Sequence, residues 1–146
     1  MTYAQERIAE VWDEAWPLIV ANAHETALSD IPFQPNRRHY EELERLGVMR
    51  LYTARVGGVL VGYTLFLVSF HPQYAGTKMA IQEVLYMDPA HRGFGAARFI
   101  VWSDDKLKAE GAGAVMRQVR HGAADYGRTL ERMGYVPTQL SYLKRF

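Results

Sequence analysis

The segment "HRGFGAARF", residues 91–99, follows a run of strand formers and gathers Arg92, Gly93, Gly95, Ala96 and Ala97 into a turn that leads toward a helix. Residues without bulk leave backbone N–H groups uncovered. The amino terminus of a helix adds unpaired donors and partial positive charge, so the guest that chemistry favours is a phosphate. A tight strand-to-helix corner would use the same residues, and the spacing alone does not separate the two readings. Just upstream, Glu83 lies in "MAIQEVLYM", where strand alternation places it on one face with Met79, Ile81, Leu85 and Met87. An acid in an apolar stripe is seldom buried without reason. Partial desolvation would raise its pKa from about 4.3 toward neutrality, which suits a base that takes a proton from an ammonium group. The alternative is a carboxylate paired with an arginine of a neighbouring strand, such as Arg117.

The rest of the composition narrows the chemistry around these two features. The 146 residues, 49% hydrophobic and 23% charged, fit one domain spanning residues 1–146. Seventeen Lys and Arg against 16 Asp and Glu leave a net charge of +1, which disfavours nucleic acid and anionic membrane as partners. The absence of cysteine removes disulfides, thiolate metal sites and a covalent cysteine intermediate; no metal is expected. Charges stand where a signal peptide would be apolar, and the longest apolar run, residues 59–70, is too short to span a bilayer. A soluble, cytoplasmic protein is the expectation.

Periodicity supplies the elements that must hold the loop and the acid. Ile8, Val11, Trp12, Ala15, Trp16 and Ile19 recur at helical spacing over residues 4–28, with Pro17 expected to kink or divide that helix. Trp12 and Trp16 are read as core. Asn36 is a candidate N-cap for a second helix ending near Gly47, with Tyr40, Leu43 and Leu46 on its apolar side. Strand-like runs at 49–56 and 59–68 meet at Gly57-Gly58, a hairpin signal. After a loop, "SFHPQYAGT", a third strand runs to about Met87. A helix follows over about 95–110, then a β-prone 114–120, a helix over 125–133, and a closing pair of strands near 135–137 and 140–146. The order is α-α-β-β-β-α-β-α-β-β, an α/β sheet whose early strands are antiparallel, with a helical crossover between the third and fourth.

The phrase "VLYMDPAHRGFGAARFI" resembles the acetyl-CoA loop of the GNAT superfamily of N-acetyltransferases, in which Arg92, Gly95 and Ala97 occupy the defining positions. The ending "LERMGYVPTQLSYLKRF" is similar to that family's close. The resemblance implies a GNAT-like, mostly antiparallel mixed sheet with helices on both faces, and it leaves room for a short extra first strand around Thr2 and Tyr3. It further implies that the amides of Gly93, Phe94, Gly95, Ala96, Ala97 and Arg98 wrap the pyrophosphate of acetyl-CoA. The strand ending at Leu85, Tyr86 and Met87 would splay from its neighbour to pair with the pantetheine arm. Glu83 matches a glutamate of similar enzymes and would serve as base in a direct transfer from acetyl-CoA to a small-molecule or peptide amine. A backbone N–H at the end of the third strand would hold the oxyanion, and a homodimer is compatible.

The family's usual acid is a tyrosine four residues before the glycine of a Gly-aromatic pair. Here that glycine is Gly134 and the position holds Leu130. Tyr126, His121 and unassisted departure of a thiolate with pKa about 8.5 all remain open. The acceptor would be bordered by Phe33, Arg37, Arg38, His39, Tyr40, His71 and Tyr74. The aromatics suit a cationic amine and the arginines an acidic one. Two other classes are compatible: a catalytically weak coenzyme A-binding interaction module, and an aminoacyl-tRNA-acetylating toxin.

Overall fold

The computed structural model describes residues 1–26, 28, 31–120 and 123–146. Strand β1 (Thr2–Glu6) precedes helix α1 (Ile8–Thr26) and helix α2 (Arg37–Arg45). Strands β2 (Met49–Val56), β3 (Val59–His71) and β4 (Tyr74–Met87) follow. A 3-10 turn (Pro89–His91) leads into helix α3 (Phe94–Ala109), then strand β5 (Ala114–Met116) and helix α4 (Ala124–Arg132). The sheet runs β1-β2-β3-β4-β5, antiparallel throughout except for the parallel β4–β5 pair. The extra first strand is real, and it takes residues that helical spacing assigned to the first helix. At the β2–β3 turn Gly57 and Gly58 have φ of +57° and +84°, the double positive φ that a two-residue hairpin requires.

Each face of the sheet carries its own core. On one side Leu51, Leu65, Tyr63 and Tyr86 pack with Ile8, Val11 and Ala15 of α1. On the other Tyr52, Phe66, Val68 and Ala80 pack with Phe99 and Leu107 of α3. This is the expected arrangement of helices on both faces. Helix α1 continues through Pro17 undivided. Pro17 and Asp13, whose carbonyl loses its helical partner, are both exposed, so water can take the freed acceptor. Asn36 caps α2 as expected, its side chain accepting from the His39 N–H at 3.1 Å. Helix α2 in turn secures α1: the Glu44 carboxylate accepts the Ile8 N–H at 3.1 Å, and Arg37 reaches Asp13 and the Ala9 carbonyl.

Three expectations need correction. The loop "SFHPQYAGT" is mostly strand, since β3 and β4 extend to His71 and from Tyr74 and leave two turn residues between them. The fourth strand is three residues long rather than running to residue 120, because Arg117 turns into a buried polar network. The closing strand pair does not form: residues 135–146 carry no strand, and Val136, Leu140 and Tyr142 are exposed. Pro137 has no N–H to give a ladder, and so short a β5 offers little edge to pair with.

Candidate active site

The pairing of β3 with β4 passes from Leu65 opposite Val84 to Phe66 opposite Gln82, which leaves Glu83 as the unpaired residue of a β-bulge. The bulge changes the expected stripe. Met79 and Ile81 share the α1 face with Glu83, but past the bulge the parity inverts, so Leu85 faces the α3 core while Val84 and Tyr86 face α1. Glu83 and Val84 therefore both look toward α1 and α2.

There they border a cleft of about 370 Å³, open to solvent, with walls from Trp12, Ile19 and Asn22 of α1, Phe33 and Pro35 of the connecting segment, Tyr40 of α2, and Tyr63 and Leu65 of β3. Tyr40 Oη donates to Glu83 Oε1 at 2.8 Å, and the Trp12 and Tyr40 rings lie 5.8 Å apart. Desolvation by these walls holds the Glu83 pKa above its usual carboxylate value, only partly offset by the Tyr40 hydrogen bond. Burial and the neighbouring Glu83 charge raise Tyr40, which stays a protonated donor. Arg117, the alternative partner for Glu83, lies on the other face of β4 with its side chain fully buried. Its guanidinium donates to Gln82 at 2.9 Å, Ser103 at 2.8 Å, Asp104 at 2.7 Å and the Tyr135 hydroxyl at 2.8 Å.

The β4–β5 ladder consists of Met79 with Ala114, Ala80 with Val115 and Ile81 with Met116. Beyond Ile81, β4 continues to Met87 with no strand of the described residues on its β5 side. Leu85, Tyr86 and Met87 thus lie along an edge where β4 has no β5 partner, because β5 ends at Met116. The edge leads to the start of α3, where Gly93 is the N-cap with φ +73° and no side chain caps the first turn. The free amides are those of Gly93, Phe94, Gly95 and Ala96. Ala97 and Arg98 do not join them: the Ala97 N–H is bonded to the Gly93 carbonyl at 3.0 Å, and by helix geometry that of Arg98 is bonded to Phe94. Arg92 fastens the loop. Its Nε donates to the Met87 carbonyl at 2.9 Å, its Nη2 to Glu25 at 2.7 Å, and its guanidinium sits 5.6 Å from the Tyr86 ring centre.

Tyr126 donates to Gln82 Oε1 at 3.2 Å, across β4 from Glu83, and burial raises its pKa. Leu130 is 4% exposed and packs in the interior. His121 lies outside the described residues. Of the acceptor candidates, Phe33 and Tyr40 line the cleft. Arg37 is tied to Asp13 and Glu41, while Arg38 and His39 are exposed on α2 and do not line it. The His71 and Tyr74 rings lie 5.0 Å apart, tilted by 38°, at the β3–β4 hairpin. Sequence reading missed Trp12 as a wall, together with Ile19, Asn22 and Tyr63. For Trp12 the available signal was a pair of large aromatics one helical turn apart, a spacing that reads as core; Trp16 is 43% exposed and Trp12 lines the cleft. Nothing in the sequence separated Tyr63 from ordinary core.

No protein-family model and no curated protein matches the sequence. Among solved structures, the chain resembles ribosomal-protein-alanine N-acetyltransferase from Brucella melitensis biovar Abortus 2308, with TM-score 0.75, 22% identity and all of both chains covered. It also resembles the aminoglycoside acetyltransferase meta-AAC0020 from an uncultured soil metagenomic sample, solved with sisomicin, with TM-score 0.75, 14% identity, and 99% of this chain and 95% of that one covered. A transcriptional regulator from Bacillus halodurans C-125 matches at TM-score 0.75 and 18% identity over 99% of each chain. The protein has the GNAT fold.

Proposed function

We propose that the protein is an acetyl-CoA-dependent N-acyltransferase that acetylates a primary amine by direct transfer, acting in the cytoplasm without a metal. The observation that carries this reading is the junction at the bulge. One face of β4 turns Glu83 into a cleft, the stretch of the same strand without a β5 partner begins at Gln82 directly before it, and that stretch leads to the uncapped start of α3. The residues suit the coenzyme: four amides at the start of α3 have no intrahelical acceptor, Gly93 has nothing within 4 Å of where a Cβ would stand, and at Gly95 a Cβ would meet only the end of the Met1 side chain, so little bulk stands over the turn.

When bound, acetyl-CoA supplies the acyl thioester from which the amine takes its acetyl group, with coenzyme A as the leaving thiol. Gly93, Phe94, Gly95 and Ala96 would hold the pyrophosphate, and the β4 edge at Leu85, Tyr86 and Met87 the pantetheine arm. Glu83 accepts the proton of the incoming ammonium, and Tyr40 orients its carboxylate. We assign Tyr126 to holding Gln82 rather than to acid catalysis, because a thiol with pKa about 8.5 leaves without assistance.

Release of coenzyme thiol from acetyl-CoA, followed across a panel of amines, tests the reading when paired with calorimetric titration of acetyl-CoA. Binding with amine-dependent release is expected. Binding without release across the panel would make the protein a coenzyme A-binding module, and absence of binding would overturn both.

A further inference from the structure

The sequence offered two conflicting signals about the acceptor, aromatics for a cation and arginines for an acid, and the cleft contains only the first. Among the described residues its walls are the aromatics Trp12, Phe33, Tyr40 and Tyr63 with apolar neighbours, Asn22 is the one side-chain amide, and Glu83 is the one carboxylate. No lysine, arginine or histidine lines it. Arg37, one of the cations the sequence offered for the acceptor, is committed elsewhere at 2.6 Å to Glu41 and 3.1 Å to Asp13. The cleft adjoins a second apolar hollow lined by Ile8, Val11, Ala15 and Leu51, sharing Trp12, Ile19, Tyr63 and Leu65 with the first. The space therefore joins one carboxylate to a largely apolar lining.

Resting on the acyltransferase reading, we infer that the acceptor is a monoamine whose ammonium meets Glu83 and whose body is an uncharged aryl or alkyl group, without a carboxylate beside the nitrogen. A free amino acid would bring its carboxylate within reach of Glu83 with no cation to receive it, which adds like-charge repulsion to desolvation. A polyamine or aminoglycoside would press further ammonium and hydroxyl groups against walls that offer them almost no partners. A monoamine leaves none of these groups unpaired. Its ammonium gains the carboxylate and the faces of Trp12 and Tyr40, and its body covers apolar surface.

Matched pairs with the same body test this. Acetylation of phenethylamine against phenylalanine and of tyramine against tyrosine, with spermidine and an aminoglycoside as controls, is compared by kcat/KM in the full-length protein. Phenethylamine is expected to exceed phenylalanine by about a hundredfold or more. Phe33→Ala, at a position 48% exposed and so not needed for folding, is expected to raise KM for phenethylamine about tenfold with acetyl-CoA affinity unchanged. Equal or better use of phenylalanine, spermidine or the aminoglycoside would overturn the inference and leave the acyltransferase reading standing. Titration of phenethylamine by intrinsic tryptophan fluorescence separates the remaining case. Saturable binding without turnover would remove the acyltransferase reading and with it the acceptor role, leaving the cleft as an amine-binding site, whereas no binding of either apolar amine overturns the inference.

Discussion

Replacing Glu83 by Gln removes one negative charge and the proton acceptor while keeping an oxygen for Tyr40, which now donates to Glu83 Oε1 at 2.8 Å. General bases contribute roughly 10²- to 10⁴-fold. Because the Glu83 side chain is exposed to solvent on one side, water can also take the amine proton, so the lower figure applies and the variant should lose about a hundredfold in turnover at neutral pH. An alkylammonium has a pKa near that of lysine, about 10.4, so only about one amine in a thousand is free at pH 7.4. Without a base the rate follows that fraction, rising about tenfold per pH unit. By about pH 9.4 the variant should have recovered most of its hundredfold deficit. Wild type should level off sooner, above the raised pKa of Glu83.

Stability should move the other way. The folded-state pKa of Glu83 lies above its ordinary 4.5, so the native state holds the proton longer than the unfolded chain does. That contribution is present below pH about 4.5 and is lost as pH rises through the folded pKa. Gln cannot ionise, so the variant lacks this decline and at neutral pH should match wild type to within about 1 kcal/mol, the cost of weakening one accessible hydrogen bond. A pH-rate profile, a thermal melt and an acetyl-CoA titration of the same variant check all three. A folded, coenzyme-binding Glu83→Gln protein with undiminished turnover would refute the role of base.

Three further substitutions probe the other parts of the site. Gly95→Glu should abolish acetyl-CoA binding in calorimetry with the melt unchanged, because its side chain meets only the movable end of Met1 while its charge repels phosphate. Arg117→Met should lower unfolding free energy in a denaturant titration by about 3–5 kcal/mol, since it removes the cation that Asp104 pairs with and one donor to Gln82 at a side chain that is fully buried. Tyr126→Phe should cost about 1 kcal/mol of stability for its bond to Gln82 and change turnover less than fivefold; a hundredfold loss with coenzyme binding intact would make it the acid.

The strand-to-helix turn at residues 91–97 was legible because its demands are local: small residues, a strand before it and a helix after it. The hairpin at Gly57-Gly58 and the Asn36 cap were legible for the same reason, each set by two to four neighbouring residues. Glu83 was found as a chemically odd residue, yet its face was only half read. Alternation carries side-chain direction along a strand for as long as pairing is regular, and a bulge depends on the partner strand. The fate of Arg37 and Arg38 lay beyond sequence for a similar reason: a charge beside a site counts only after its own partners are known, and Asp13 lies 24 positions away from Arg37. The closing strands failed because β propensity in "YVPTQLSYLKRF" speaks for extended backbone and not for an edge to receive it.

The bulge and the early end of β5 act together. If β4 paired regularly with β3, residue 83 would face one side and residue 84 the other, and the open edge would have the acid on it only by accident of register. The extra residue instead puts Glu83 and Val84 on the α1 side and sends Leu85 to the α3 side, while pairing with β5 stops at Ile81. Gln82, the residue between the last β5 pair and the bulge, is fixed from the opposite face by Arg117 and Tyr126. Its anchoring holds the fork where Glu83 emerges, so the spacing between that carboxylate and the unpaired part of β4 is set by a buried network. It follows that Gln82→Leu, which removes the acceptor for both donors but keeps a strand residue of similar size, should reduce turnover at saturating amine more than it weakens acetyl-CoA binding. A kinetic and calorimetric comparison reads the two separately, and equal losses in both would mean that Gln82 only supports the fold.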